Sequence, residues 1–408
     1  MEQEQGEALI QDSGAGASPS TASGTGEDPK KKSKQKRERG PQLAFDLSMA
    51  FAPFALAAVV VSVLGLASSF LTSGMPGWVC ELCATFRTQC IILLFVCTIP
   101  SILSKPWKIM GFICFGLGLF NLLLISPLID FNKTKKAESS YLSFNLMSML
   151  VESSDITDDQ VLALVEEQDP EILVIENISL GRMAALNPKI SRYHHRALFP
   201  DDKGHGILIY SRAPLKGSRV ELLGKDKIPV AVTTAFFEYG WTNIVAVRAP
   251  EVVDGESLEK RNNLFEAVSE MVSKLKGPTI LCGNINVSPY AGSYGKLLGK
   301  SNLKVLHDGI AIKPNSYAGP QDFIVNRIST DNIFANDKVA FAGRTIISGF
   351  SGRNQPVKGT FSLSNKDEKW VAPAQPAAAS QPAPESAAAP ADKNDSKSKS
   401  KSRKSRRR

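Results

Sequence analysis

An uncharged apolar run from Ala50 to Leu71 limits the possible folds of this chain more than any other feature. As a helix, a run of this length crosses about 30 Å of hydrocarbon. Two further apolar runs follow at about 85–104 and 109–129. We therefore predict about three transmembrane helices in a transmembrane region at 44–130. A cleaved signal peptide does not fit, because the first run begins too deep in the chain.

The positions of Lys and Arg predict the orientation of these spans. A basic cluster at 30–39 precedes the first span, and Lys105 and Lys108 separate the second span from the third. Both segments should therefore face the cytoplasm, whereas the loop at 72–86 has no Lys or Arg and suits the outer side. Three spans then place the following domain outside the cytoplasm, although the lysines at 133–136 favour the opposite side.

Both ends of the chain have compositions that oppose folding. Residues 1–43 are rich in Gly, Ser, Thr, Glu and Lys, and residues 371–408 are rich in Ala and Pro and then in Ser, Lys and Arg. We predict that both are disordered, because neither offers enough apolar surface to offset chain entropy. They carry most of the excess charge behind the net charge of +8. Anionic lipid, cell-envelope phosphate, nucleic acid and plain solvation all remain open for these tails.

The segment at 138–364 is long enough to have a hydrophobic core of its own. Helices are predicted at 157–168, where Thr157 and Gln160 are spaced as a capping box, and at 257–275. Strands are predicted at 141–147, 171–177, 205–212, 229–237, 242–248, 279–286, 323–328, 339–347 and 359–363. This alternation predicts the α/β class, as a four-layer α/β/β/α sandwich with two sheets in the middle.

Short polar motifs occur in a definite order along this segment. They are Asn145 in SFNLM, Glu176 in EILVIEN, Ser211-Arg212 in GILIYSR, the run Gly-Asn-Ile-Asn at 283–286 followed by Pro289, Asp322 in QDFIV, and Arg353-Asn354-Gln355-Pro356-Val357. Their order and spacing resemble the endonuclease/exonuclease/phosphatase superfamily, which has the deoxyribonuclease-I-like fold. With the apolar prefix, the resemblance covers about residues 45–363.

The apolar prefix narrows this resemblance to the membrane-anchored branch that includes the vancomycin/teicoplanin-resistance membrane proteins. That branch has three N-terminal spans, and its first loop and second span carry a Trp, an acidic residue and a Phe-Arg-x-Gln run. The matching residues here are Trp78, Glu81, Phe86, Arg87 and Gln89.

The resemblance implies cleavage of a phosphoester by water at a divalent-metal site, usually Mg²⁺, with an Asp-oriented His beside it. It implies that Glu176 is the metal ligand. The family's catalytic positions fall on Asn145, Asn284, Asn286, Asp322 and Asn354.

Three of the reactive positions carry a different group in this chain. The Asp of the family's Gly-Asp-Phe-Asn motif is Asn284, the closing Asp-His pair is Arg353-Asn354, and the mid-domain His is Arg248. Loss of each acid or base costs on the order of 10²–10⁴-fold in rate. One carboxylate among amides also suits Mg²⁺ poorly. We therefore expect little phosphoesterase activity, and we expect Arg212, Arg248 and Arg353 to form a cationic pocket for phosphate or carboxylate.

Three functions remain compatible with the sequence. The leading hypothesis is a degenerate phosphoesterase domain that binds an anionic ligand or an envelope partner. The alternative is a divergent Mg²⁺-dependent phosphodiesterase or phosphatase of lipid or cell-envelope phosphates, in which His205 replaces the missing imidazole. The third is a structural anchor whose basic tail organises the envelope.

Overall fold

The computed structural model describes residues 29–126, 143–152, 156–306, 314–317, 327–363 and 365–371, without the side chains of 29–44, 317 and 327. Residues up to Glu368 form one unit, and residues from Lys369 onward belong to a second unit. Asp322 and most of the strand predicted at 323–328 lie outside the described residues. The tails predicted to be disordered at 1–28 and 372–408 also lie outside them.

Four helices make up the N-terminal part of the described chain. They are α1 (Pro29–Ala67), α2 (Gly74–Thr85), α3 (Arg87–Leu103) and α4 (Lys108–Ile125), with a 3-10 turn at Lys105–Trp107 before α4. Phe45–Ala67 and Lys105–Ile125 are each long and apolar enough to cross a membrane. Helices α2 and α3 pass the same test only as a pair, bent by 64° between them. The described chain thus has two candidate spans, or three if the bent pair is one span.

Helix α1 begins earlier than the composition predicts. The predicted disordered tail runs to residue 43, but the helix starts at Pro29 and is continuous with the apolar run. Lys, Gln, Arg and Glu are good helix formers, and Pro suits the first helical position. An apolar helix that has already nucleated can therefore extend backward through this polar segment.

Polar contacts fix which ends of α1, α3 and α4 lie next to one another. Arg87, at the start of α3, donates from Nη2 to the carbonyl oxygen of Gly65 near the end of α1, at 2.9 Å. Asn121, near the end of α4, donates from Nδ2 to Ser62 Oγ at 2.7 Å. The end of α1, the start of α3 and the end of α4 therefore lie at one level, on the side where the domain follows.

Two six-stranded sheets form the domain, with a two-stranded sheet beside them. The first sheet has the order β13 (Ala340–Ile346), β14 (Val357–Ser362), β1 (Ser143–Leu150), β2 (Ile172–Glu176), β4 (Ile207–Ser211), β3 (His195–Phe199). The second has the order β5 (Leu215–Leu223), β6 (Ile228–Phe237), β7 (Gly240–Val247), β8 (Thr279–Asn284), β12 (Asp331–Ala335), β9 (Lys304–Val305). The small sheet pairs β10 (Ser316–Tyr317) with β11 (Arg327–Ile328).

Four helices cover the outer faces of the sheets and confirm the predicted sandwich. They are α5 (Asp158–Gln168) and α6 (Leu180–Leu186) on the first sheet, and α7 (Gly255–Ser273) and α8 (Tyr294–Leu298) on the second. Apolar side chains fill the space between the sheets and the space under each helical layer. Thr157 and Gln160 form the predicted capping box of α5.

The register of the strands gathers several loops at one edge of the sandwich. β1 runs parallel to β2, with Leu150 opposite Glu176, and β7 runs parallel to β8, with Ala246 opposite Cys282. The carboxyl ends of these four strands therefore lie together. β12 is antiparallel to β8 and begins there, with Asp331 opposite Asn284. The start of β14 arrives at the same edge from the opposite direction.

Candidate functional site

A cleft of about 300 Å³ opens at this edge, and its two walls come from distant parts of the sequence. One wall belongs to the domain and includes Glu152, Glu251, Asn286, Arg353 and Asn354. The other wall is the helix α2 with the residue that caps it, and includes Trp78, Glu81, Leu82, Thr85 and Phe86. The Trp, acidic and Phe positions of the sequence motif thus line the same cleft as three of the predicted site residues.

Glu176 lies beneath the cleft and is fully buried. Its Oε1 accepts a hydrogen bond from Ser148 Oγ at 2.8 Å, and its Oε2 accepts one from the Asn284 backbone N–H at 2.8 Å. Burial, and then the charge of nearby Asp331, raise the pKa of Glu176 to about 8. The carboxyl group is therefore mainly protonated at neutral pH, with both oxygens already engaged.

Gly283 allows this close approach between the sheets. Its φ of +133° lies in the region that favours glycine, and an added Cβ would lie 2.1 Å from the Val247 carbonyl oxygen and 3.0 Å from Glu176 Oε1. No side chain fits at this position without moving the backbone of β7 or the buried carboxyl. The glycine of the Gly-Asn-Ile-Asn run is therefore required by packing.

Asp331 occupies the centre of a buried amide network next to Glu176. Its Oδ2 accepts hydrogen bonds from Asn315 Nδ2 and Thr330 Oγ1, both at 2.9 Å, and from Asn354 Nδ2 at 2.5 Å. Burial raises the pKa of Asp331. The Asn284 amide makes no hydrogen bond of ordinary geometry to a described residue, although it lies close enough to Asp331 to lower the pKa of that carboxyl.

The described residues do not fit a divalent-metal site as placed. No three His, Cys, Asp or Glu side chains gather in this part of the chain. Glu176, the expected ligand, is buried, favours its neutral form and binds Ser148 and Asn284 instead. A small hard cation prefers charged oxygens in octahedral array, whereas Glu176 and Asp331 are buried and already accept hydrogen bonds from protein donors.

A pair of carboxylates that the sequence did not single out lies on the cleft wall. Glu152 follows β1, Glu251 follows β7, and both line the cleft with Arg353. Burial, and then a hydrogen bond with Glu251, raise the pKa of Glu152 to about 7. Arg248 lies behind the pair, with Nη2 at 3.7 Å from Glu152 Oε1, and also donates to the Gly204 carbonyl oxygen.

Two of the predicted site residues lie at the opposite edge of the sandwich. Asn145 is near the start of β1, where its Oδ1 accepts a hydrogen bond from Thr360 Oγ1 at 2.7 Å. Arg212 follows β4, which is antiparallel to β2, so it reaches the start of β2 and pairs with Asp169. Neither residue lines the cleft, so the cationic pocket expected from three arginines contains Arg353, with Arg248 behind it.

His205 does not line the cleft either. Its imidazole is half-buried, and burial, together with the charge of Arg248, lowers its pKa. Its Nδ1 has no hydrogen-bond partner among the described residues. The sequence left open that His205 replaces the missing catalytic imidazole. The location of His205 beside Arg248 and outside the cleft does not support that hypothesis.

Helix α2 is held against the domain by a buried ion pair. Arg261 on α7 is fully buried and donates from Nη1 to Glu81 Oε1 at 2.6 Å and from Nη2 to Glu81 Oε2 at 2.7 Å. Ser293 also donates to Glu81 Oε2, and Arg261 Nη1 donates to the Asn286 carbonyl oxygen at 2.8 Å. The same guanidinium therefore connects both walls of the cleft.

The fold and the motif order define a class of protein. A sequence profile of the Endonuclease/Exonuclease/phosphatase family matches residues 142–359, over half of the chain. The chain therefore belongs to this family, whose members are generally dependent on divalent metal ions. No curated protein matches the sequence significantly.

Several solved structures are similar to the domain. An endonuclease/exonuclease/phosphatase from Beutenbergia cavernae is 13% identical, covering 55% of this chain and 72% of its own, with a TM-score of 0.44. An endonuclease/exonuclease/phosphatase from Bacteroides vulgatus is 12% identical, covering 54% and 99%, with a TM-score of 0.46. Sphingomyelinase C from Streptomyces griseocarneus is 14% identical, covering 53% and 99%, with a TM-score of 0.42.

Proposed function

We propose that this chain is a membrane-anchored member of the family that binds a phosphate-bearing anion in the cleft and hydrolyses it slowly or not at all. The observation that carries this proposal is the replacement of acid–base groups by donors around the cleft. Asn354, at a family His position, is a hydrogen-bond donor to Asp331. Arg353 lines the cleft beside it.

The charges of the cleft support an anionic ligand near neutral pH. Glu81 is neutralised by Arg261, and Glu176 favours its protonated form. Glu152 and Glu251 share a hydrogen bond and carry about one charge between them while Glu152 is protonated. Arg248 and Arg353 then place two guanidinium groups beside that single charge, with the buried carboxyl of Asp331 behind Asn354. A guanidinium together with amide donors suits the oxygens of a phosphate group.

Calorimetric titration of the full chain in detergent with inorganic phosphate and sulfate tests this proposal. We expect Arg353→Gln to weaken binding about tenfold, because it removes the charged donor from the cleft. Arg212→Gln is the matched control, since that arginine lies at the opposite edge. Equal binding by wild type and Arg353→Gln would remove the support for an anion site in the cleft.

A divergent metal-dependent hydrolase is the second candidate, and Glu152 favours it. A carboxyl with a pKa of about 7 in a cleft can act as a general acid or base near neutral pH. The test is turnover of bis-p-nitrophenyl phosphate with Mg²⁺ by the full chain, beside Glu152→Gln, Glu176→Gln and the revertant Arg353→Asp/Asn354→His. If the wild type shows metal-dependent turnover and Glu176→Gln abolishes it, the proposal of a catalytically degenerate site is overturned.

We also propose that the domain lies outside the cytoplasm. The support is the basic cluster before α1, the lysines at the α3–α4 junction and the lack of Lys and Arg in the loop at 72–86. A reporter enzyme that is active only outside the cytoplasm, fused after residue 371, should be active. The same reporter fused at the α3–α4 junction should be inactive, and the reverse pattern would contradict the orientation.

A further inference from the structure

We infer that the phosphate bound in this cleft belongs to a lipid headgroup, and that the lipid reaches the cleft sideways from the bilayer along α2. This inference rests on the membrane-anchored, anion-binding function proposed above. It adds the chemical class of the ligand and assigns α2 as a wall of the binding site.

The cleft lies at the level where the apolar helices end. Thr85 and Phe86 line the cleft and directly precede Arg87, the first residue of α3. Arg87 in turn contacts Gly65 near the end of α1. Because α1 and α4 are the helices long and apolar enough to cross a membrane, their ends mark the hydrocarbon boundary. The phosphates of membrane lipids lie just beyond that boundary.

The domain contacts the segment at 68–75 directly at this level. Asn262 Nδ2 donates to the Thr72 carbonyl oxygen at 2.8 Å, and the Gly74 N–H donates to Glu259 Oε1 at 3.1 Å. Two glycines let the backbones meet. A Cβ on Gly255 would lie 2.4 Å from the Gly74 carbonyl carbon, and one on Gly292 would lie 2.3 Å from the Ser68 carbonyl oxygen.

Large apolar side chains are exposed at the cleft and along the segment that leads from α1 into α2. Leu82 and Val253 both line it and are 47% and 67% exposed. Met75, at the backbone contact with Gly255, is 55% exposed, and Phe70 before α2 is 88% exposed. In the described part of the domain at 143–363, such exposed large apolar side chains are few. An apolar rim of this kind is costly in water and is typical of a membrane-contacting surface.

The interior and the rim of the cleft match the two parts of a phospholipid. Arg353 and Asn286 lie in the domain wall, where the guanidinium and the Nδ2 hydrogen of Asn286 that is not donated to the Ala249 carbonyl oxygen can bind phosphate oxygens. Leu82 and Val253 lie on the rim, where the glycerol and the first acyl carbons would pass. A volume of about 300 Å³ holds a headgroup but not a whole lipid, so the acyl chains would remain in the bilayer.

Native mass spectrometry of the full chain in detergent tests this inference. The probes are phosphatidic acid, phosphatidylcholine and the soluble headgroup analogue glycerol 3-phosphate. We expect phosphatidic acid to bind more tightly than the other two. Leu82→Gln and Val253→Asn should weaken phosphatidic acid binding about tenfold and weaken glycerol 3-phosphate binding much less, because the lost apolar contacts are made mainly with the acyl carbons.

Leu222→Gln is the matched control, because Leu222 is 58% exposed on β5 and does not line the cleft. If the rim variants bind phosphatidic acid as tightly as this control, or if glycerol 3-phosphate binds as tightly as phosphatidic acid, the lipid inference is overturned. Arg353→Gln should weaken both phosphate probes. If wild type binds neither, the proposed anion site fails, which is a different result from a loss of lipid preference alone.

Discussion

At the scale of single residues, the most unusual group is the buried carboxyl of Glu176. Its pKa of about 8 lies well above the usual value of 4.5. The folded state therefore holds a proton that the unfolded state releases above about pH 4.5. The stability from this proton is fully present below that pH and is lost as the pH rises through about 8.

Glu176→Gln should make the stability of the protein less dependent on pH. The amide keeps the shape of the side chain, since its Oε1 can accept from Asn284 and its Nε2 can donate to Ser148. Near pH 5 the variant and wild type should melt at similar temperatures. Near pH 8 the variant should be more stable by up to about 4 kcal/mol, measured by thermal unfolding in detergent. The pH dependence of stability that Asp331 causes would remain in the variant. If Glu176→Gln shows the same pH dependence of stability as wild type, the assignment of Glu176 as a buried, protonated acid is contradicted.

Glu152 should make anion binding depend on pH. Sulfate is the suitable probe, because it keeps its charge across this range and only the protein titrates. Above about pH 7, Glu152 loses its proton and adds a negative charge next to Glu251, between Arg248 and Arg353. Sulfate affinity should therefore fall about tenfold as the pH rises through 7.

Two variants check this titration by calorimetry. Glu152→Gln should bind sulfate with nearly constant affinity, equal to that of wild type at low pH. Glu251→Gln should shift the transition to lower pH, because it removes the neighbouring charge that helps to raise the Glu152 pKa. A Glu152→Gln profile that still falls through the same range would show that another group titrates.

At the scale of elements, the contact between α2 and α7 depends on one buried ion pair. Glu81→Gln leaves the Arg261 charge buried without a counter-ion, which typically costs about 3–5 kcal/mol. We expect a lower melting temperature and a weaker anion affinity, because Arg261 also holds the Asn286 backbone. The measurements are thermal unfolding and sulfate titration of the full chain in detergent.

Two control variants distinguish the loss of the buried ion pair from the general effects of a substitution. Lys274→Met breaks an exposed pair between Glu270 on α7 and the residue that caps the helix, and should leave the melting temperature nearly unchanged. The double variant Glu81→Leu/Arg261→Met replaces both charges with apolar groups and should recover much of the lost stability. Equal melting temperatures for Glu81→Gln and Lys274→Met would mean that the buried pair does not hold the helix.

The sequence predicted these elements unevenly, for identifiable physical reasons. Buried central strands such as β2 and β7 are short apolar runs, and the capping box of α5 is a local signal, so both were found. Edge strand β3 (His195–Phe199) and polar β5 have no such pattern and were missed. Strand β12, in the run DNIFA, was also missed, and Asp331 was missed with it.

The candidate site was predicted in part because its residues depend on strand direction. Asn286, Arg353 and Asn354 reach the cleft, whereas Asn145 and Arg212 lie at the other edge, which only the register reveals. Glu152 and Glu251 could have been identified from the sequence, since both are carboxylates just after apolar strands with parallel neighbours. The contribution of α2 to the cleft depends on tertiary contact, and the motif in α2 indicated only a resemblance to a family.

At the scale of the whole molecule, the helical part and the domain act as one unit up to Glu368. The domain alone, as residues 142–368, should therefore be less stable than the full chain in detergent. Removal of α2 exposes Arg261 without its partner and uncovers Leu258, which lies against Gly77 of α2. We expect a lower melting temperature and weaker sulfate binding, and an isolated domain equal to the full chain in both would show that the helices serve only as an anchor.

The two-walled cleft also fixes when the site can form during biosynthesis. Helix α2 leaves the ribosome early, together with the apolar helices, whereas Arg353 and β14 leave it near the end of the domain. Until they arrive, the first sheet lacks the strand between β1 and β13, and nothing closes the cleft. Chains that stop short of β14 therefore have an exposed edge on β1 and an incomplete cleft.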